Sequence, residues 1–384
     1  MADFKSFSDK GVQFTFNEEK AIEVCTHFFH QFLDKGSFFA RHQPPQFKFF
    51  PKVLGNSPYN IANYFLNLVI LDVGDVSDQL YKRVSTFANA FFQEQGTHFF
   101  TPENILSFEN PEALRKYMNE YWRVGIGFKR KFTFMMENAQ KILDSKINLT
   151  TLDEQSNFDI LKNREVLRGF SGININSSLY QRYMIDFNLW RFDNSEELVV
   201  KVDTHKVRFP FQFGFYNCDL TNSNNGNLVS WHRGKFEELF EEMYRNIAVQ
   251  IGNNEGYTPL EVLKGLDEII WRLRASYCSQ NSMKQCINHC EFSENCNGNP
   301  YLTTQISTKI KTTTMRNQYQ ISLLEDNLSQ DELTKYNPKG LIDRISGNQI
   351  FPKPGNIYPF VDVRRENIPI KQADDLLDSQ IPLF

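Results

Sequence analysis

The stretch CSQNSMKQCINHCEFSENC, residues 278–296, gathers four of the six cysteines of a 384-residue chain. A chain of this length buries a sizeable core without covalent staples. Its opening, MADFKSFSDKG, lacks the basic, apolar and small-residue order of a secretory signal, and no apolar run reaches the ~18 residues that a bilayer crossing needs. The expectation is a soluble, cytoplasmic protein with no membrane partner. In a reducing compartment, thiols this crowded are expected to hold a metal rather than to pair as disulfides, because coordination favours the thiolate. Between Cys278, Cys286, Cys290 and Cys296 the spacings are x7, x3 and x5. Four thiolates serve zinc or an iron–sulfur cluster, and spacing alone does not choose. Paired CxxC knuckles would favour zinc. Ligands arriving singly from one compact loop fit a 4Fe–4S cubane better, with zinc as the alternative.

Outward from this loop, the chain reads as mainly α. A capping residue followed by Pro at the first helical position recurs at Ser57-Pro58, Thr101-Pro102-Glu103, Asn110-Pro111-Glu112 and Thr258-Pro259-Leu260-Glu261. In DVSDQLYKRVSTFANAFFQEQG, Leu80, Val84, Phe87 and Phe91 fall at helical spacing, with Ser77 placed to start the run and Gly96 to end it. Segments 128–143 and 234–251 show the same period, and AIEVCTHFFHQFL predicts one amphipathic helix whose Cys25, His27 and His30 are ordinary core and surface positions. VVKVDTHKVRF (199–209) alternates and predicts an extended segment. From about residue 300 the composition turns to Thr, Asn, Pro and Lys with weak periodicity. Net charge is −4, from 42 basic and 46 acidic residues, so there is no global positive field and a polyanion must be met locally.

The cysteine loop follows a helix ending IIWRLRASY, and this order resembles the iron–sulfur loop of the helix-hairpin-helix DNA glycosylases, the endonuclease III and adenine glycosylase superfamily. Each of the first two gaps is one residue longer here than is usual in that family. Other landmarks occur in the family's order. VDTHKVR (202–208) is similar to the segment carrying the catalytic aspartate, which falls on Asp203. LRGFSGININSSLYQRYM (167–184) resembles the hairpin between two helices, and residues 57–84 and 110–143 resemble the helices before it. The resemblance spans roughly residues 56–297. It implies a two-lobed fold, a six-helix domain plus an iron–sulfur cluster domain, with N- and C-terminal extensions. The expected divisions are 1–55, an N-terminal extension partly packed on the cluster domain; 56–200, the six-helix domain; 201–300, the Asp203 segment and cluster domain; 301–374, a C-terminal extension; and 375–384, a tail.

The chemistry assigns each landmark a task. Breaking an N-glycosidic bond develops positive charge at C1′, which a neighbouring carboxylate stabilises in the transition state. The resemblance gives this role to Asp203, which taken alone reads equally well as a cap. A hairpin grips a DNA phosphate through backbone N–H groups at a helix N-terminus, here Gly172, Ile173, Asn174, Ile175 and Asn176. Gly172 permits close approach, and Asn174 stands where a second glycine is usual; Asn tolerates left-handed backbone better than most residues. Bifunctional relatives place a Schiff-base lysine at the position of Asn176, and an amide cannot replace that amine. The expected enzyme is therefore monofunctional: it flips out a modified or damaged base of duplex DNA, removes it with water and leaves an abasic site. A rival alignment makes GIGFK (125–129) the hairpin and Lys129 the nucleophile. Base flipping needs wedge and pocket residues, for which the turn LDVGDVS offers Asp72 and Asp75; both also read as helix-capping acids. The polar segment 217–227 enlarges the region around Asp203 and points to a roomy pocket for a bulky or hypermodified base.

The chain ends ADDLLDSQIPLF. QIPLF resembles the bacterial sliding-clamp-binding peptide, with Gln380, Ile381, Leu383 and Phe384 as its contacts. The expected partners are thus double-stranded DNA and a sliding clamp, and the expected state a nucleoid-associated monomer. The readings from other classes are an iron–sulfur DNA-binding protein without catalysis and a hydrolase of a modified nucleoside or RNA base.

Overall fold

The computed structural model describes residues 3–9, 12–39, 43–72, 77–121, 129–219, 229–230, 233–273, 292, 296, 341–342, 349–350 and 360–361. Within them the chain is mainly helical. The helices are α1 (Glu18–Leu33), α2 (Pro45–Lys48), α3 (Pro58–Leu71), α4 (Ser77–Gln95), α5 (Pro102–Leu106), α6 (Pro111–Tyr121), α7 (Lys129–Asp144), α8 (Leu152–Gln155), α9 (Ile160–Arg168), α10 (Ser177–Asp186), α11 (Thr204–Gln212), α12 (Arg233–Glu255) and α13 (Pro259–Arg272). Strands β1 (Ser6–Asp9), β2 (Val12–Phe16) and β3 (Tyr216–Asp219) form an antiparallel sheet in that order.

The starts of these helices follow from their caps. Ser57 and Thr101 accept from the amides of Asn60 and Asn104, Asn110 accepts from Ala113 N–H, and each precedes a proline. At α13, Thr258 and Glu261 form a reciprocal capping box. In α4, Leu80, Val84, Phe87 and Phe91 are all buried, and Gly96 follows with φ +70°, a backbone that favours glycine.

The chain divides into two compact units, Arg41–Lys201 and Met1–Ala40 with Val202–Phe384. In the first, every residue of α3 from Ile61 to Leu71 is buried, so this helix runs through the core rather than along its surface. Its two buried asparagines donate to backbone: Asn63 Nδ2 to Tyr59 O, and Asn67 Nδ2 to Asn63 O and Phe100 O. Helices α4, α7 and α10 pack against α3, while α5 and α6 pack on α7. Residues 41–55 belong here, which corrects the single extension expected over 1–55. The reason is aromatic: Phe47 and Phe50 pack on Phe187 with ring centroids 5.1 and 4.8 Å apart.

In the other unit, α1 packs on α12 and α13, and α11 also lies against both. Sheet and helices meet where Tyr216 of β3 stacks on Phe240 of α12 at 5.8 Å. The strands were not foreseen from sequence. Cys25 is fully buried in α1, burial pushes its thiol well above the ordinary range, and His30 pairs with Glu255 at 2.9 Å, so α1 carries structural residues as expected. The α1–α13 contact is close because Gly265 is bare: a Cβ there would meet the Phe29 ring at 2.9 Å and Phe32 at 3.1 Å.

In a solvated helix Gly→Ala stabilises by about 1 kcal/mol. Gly265→Ala is expected to lower the melting temperature instead, since the buried Phe29 ring has no room to yield. Thermal denaturation reads the sign.

Candidate active site

The helix–turn–helix at 160–186 is built from α9 and α10. Asp159 starts α9 by accepting from the amides of Leu161 and Lys162. After Arg168 the chain turns through Gly172 at φ +77° and Asn174 at φ +30°. Asn174 is exposed and adopts the positive φ expected of it. Gly172 is fixed by sterics as well as by φ, because a Cβ there would lie 2.4 Å from Phe134 Cδ2 of α7.

Helix α7 holds the turn. The buried Asn138 donates from Nδ2 to Ser171 O at 2.9 Å and accepts at Oδ1 from Ser171 N–H at 2.7 Å. One turn on, Lys141 Nζ donates to Gly169 O at 2.6 Å and sits over the Phe170 ring. Arg130 stacks over Phe134, the ring that meets Gly172, at 5.3 Å from its centroid.

The expected contact residues of the turn divide. Ile173 and Asn176 are buried, at 0% and 1% exposure, so their side chains face the core. Asn176 Nδ2 donates to Val69 O at 2.6 Å, near the end of α3, and the amide N–H of Asn176 closes the turn on Ile173 O. The side chain of Ile175 and residues 122–128, which hold most of the rival GIGFK, lie outside the described residues. Lys129 begins α7.

Asp72 follows α3, its N–H donating to Leu68 O, and its carboxylate meets Lys201 Nζ at 2.9 Å with both side chains largely shielded from water. The carboxylate thus has as its partner a cation, Lys201, that the sequence had not singled out. Beside it, the hydroxyls of Tyr81 and Tyr183 share a hydrogen bond; burial first, then Tyr183 and Asp72, push the Tyr81 phenol well above its ordinary range. Asp75 lies outside the described residues.

In the other unit, Asp203 immediately precedes α11. Over the expected extended segment 199–209, residues 199–203 form no strand and helix begins at Thr204. Sequence alternation misleads at Lys206, which is coded polar yet only 4% exposed. Asp203 Oδ1 accepts from the amides of His205 at 2.9 Å and Lys206 at 3.0 Å, the bonding of an N-terminal cap. Its Oδ2 lies 3.7 Å from Lys206 Nζ, and that ammonium lies 2.6 Å from Asp267 Oδ1 on α13. Tyr244 of α12 donates to Lys206 O at 2.8 Å; its phenol is raised well above the ordinary range, by burial first and then by Cys25, Asp203, Tyr216 and Asp267. The Asp203 side chain keeps 22% exposure, so the carboxylate is held firmly and remains reachable. Such an arrangement presents a fixed negative charge rather than a nucleophile on a flexible arm.

Of the four cysteines of the loop, Cys296 is described and buried, whereas Cys278, Cys286 and Cys290 lie outside the described residues. Phe292, between Cys290 and Cys296 in sequence, stacks on Phe28 of α1 at 4.6 Å and meets the His27 ring edge-on, which anchors this end of the loop to the unit's aromatic core. No group of three or more His, Cys, Asp or Glu side chains arranged to hold a metal occurs among the described residues. The clamp-like residues Gln380, Ile381, Leu383 and Phe384 also lie outside them. No helix among the described residues is long and apolar enough to cross a membrane.

No protein-family model matches the chain, and no significant match is found among curated proteins or solved structures.

Asn138→Ala leaves both backbone groups of Ser171 without their side-chain partner. The expected cost is about 1–3 kcal/mol in denaturant unfolding, with Asn138→Asp, which keeps only the acceptor, falling between it and the parent.

Proposed function

We propose that the protein is a monofunctional DNA N-glycosylase of the helix-hairpin-helix type, in which Asp203 is the catalytic carboxylate. The observation that carries the reading is the state of that residue. Two amides at the start of α11 and the Lys206 ammonium fix its carboxylate while leaving part of it open to a ligand. A group held in this way needs little reorganisation as charge develops, which is what makes an electrostatic contribution large.

In the proposed reaction a base is extruded from the duplex and its glycosidic bond lengthens. Positive charge grows on C1′ and the ring oxygen, and Asp203 stabilises it and orients the water that adds to C1′. The base departs and an abasic site remains. Asn176 supplies no amine for a covalent intermediate, and its amide is already engaged with Val69 O. The glycine turn after α9 offers a phosphate its backbone at Gly172 and the exposed Asn174, with Arg130 and Lys141 as the cations close to it. By their place in the family order, Asp72 and Asp75 of the turn after α3 are taken as wedge or pocket candidates. Four thiol donors in Cys278, Cys286, Cys290 and Cys296 make a complete ligand set for a 4Fe–4S cluster, whose role is to brace its loop. In this reading the substrate is cellular duplex DNA, a modified, damaged or bulky hypermodified base is released, and QIPLF recruits a sliding clamp to a monomeric, cytoplasmic enzyme.

The capping bonds of Asp203 also favour a second reading, a DNA-binding scaffold without catalysis, because a cap by itself explains an Asp at that position. Asn caps a helix as well as Asp does but carries no charge. Asp203→Asn is therefore expected to keep its melting temperature and DNA affinity and to lose base release by on the order of a hundredfold or more. Duplexes of different modification, with released bases identified by mass spectrometry, provide the assay; full activity in the variant would eliminate the mechanism. For the cluster, purified protein is expected to be brown with about four irons per chain, and Cys286→Ser to lose them. Colourless protein carrying stoichiometric zinc would replace the cluster with a zinc site.

A further inference from the structure

Lys206 is a described cation whose placement is costly. An ammonium taken out of water loses several kcal/mol unless it is well paired, yet this one is 4% exposed, in a helix that packs on two others. It lies 2.6 Å from Asp267 Oδ1 and 3.7 Å from Asp203 Oδ2. A single purely structural ion pair would need only one of these carboxylates. The short contact goes to Asp267, which anchors the ammonium from α13, and the longer one to Asp203.

We propose that Lys206, anchored by Asp267, is the positioning residue of the Asp203 carboxylate: it sets the orientation of Oδ2 and keeps the group ionised. This inference rests on the reading of Asp203 as the catalytic group. The division of contacts suits such a role. An ammonium bonded directly to Asp203 would neutralise the charge that the oxocarbenium-like sugar requires, whereas one held off by Asp267 opposes protonation of Asp203 without spending its field. A cation within about 4–6 Å lowers a carboxyl pKa by about 1–3 units.

The other titratable groups around the pair are identifiable. Tyr244 and Tyr216 have phenols raised by burial, and Cys25 of α1 has a buried thiol raised likewise, so all three stay neutral on the acid side. His205, whose amide caps onto Asp203, is the histidine neighbour on α11. Its contribution is removed in a His205→Gln background.

The test compares the full-length protein with Lys206→Arg, Lys206→Met and Lys206→Met/Asp267→Leu, the last because an ion pair replaced by apolar groups of similar size commonly preserves the fold. Two quantities are read for each folded variant: the acid limb of the base-release rate against pH, and the titration of the Asp203 carboxyl carbon by NMR in DNA-free protein. Removing the ammonium is expected to move both midpoints upward by about one unit or more, and Lys206→Arg to restore them. If the double variant is folded and both midpoints stay where they are in the parent, Lys206 is only a structural ion-pair partner and the inference is overturned. If no DNA releases a base in the parent, the glycosylase reading fails separately, and the NMR midpoints still decide whether Lys206 governs Asp203.

Discussion

A carboxylate bonded to the first amides of a helix is the constraint from which the functional account follows. At Asp203 the chain enters helix, and the bonds from His205 and Lys206 N–H both start α11 and fix one carboxylate oxygen. Starting the helix there also places Lys206 on the face that packs against α12 and α13, where Asp267 meets its ammonium and Tyr244 its carbonyl. Local capping, burial of a cation and orientation of an anion are thus one structural event. A shift of the helix start by one residue would undo all three.

The other unit rests on a steric constraint. Gly172 can turn at positive φ directly against Phe134, and Asn138 replaces the hydrogen bonds that the backbone of Ser171 would otherwise lack. Phe134, Asn138 and Lys141 lie one turn apart along α7, so one helix face shapes the whole turn. Asn176, which begins the next helix, is drawn inward to the end of α3 and not outward to a ligand.

What the sequence disclosed and what it concealed divide along physical lines. Helix starts such as Ser57-Pro58 and Thr258-Pro259-Leu260-Glu261 were legible because a cap is a local interaction, complete within four residues. The helical character of residues 77–95 was legible because one face of that segment is apolar at helical spacing. The packing of 41–55 was not, since it depends on Phe47 and Phe50 finding Phe187, more than a hundred residues away in sequence. Nor was the pairing of β2 with β3, which joins Phe14 to Cys218 across a similar distance. Among the candidate residues of each unit, Asp203 and the glycine turn were marked by local pattern, whereas Lys206, Asp267, Lys201 and Asn138 were not. Each of these four is polar in sequence and shielded in the fold, and a single polar letter does not announce that its partner lies in another element of the chain.

The central claim is that the Asp203 charge faces a cationic sugar. It is tested most directly by comparing affinities for two duplexes that differ at one position, one carrying a neutral ring-stable abasic analogue and the other its protonated cyclic-amine counterpart. Because a transition-state charge is bound more tightly than a neutral ground state, the account predicts at least about tenfold tighter binding of the cationic duplex, with the preference lost in Asp203→Asn. Equal affinity for the two, or a preference that survives loss of the carboxylate, would contradict it.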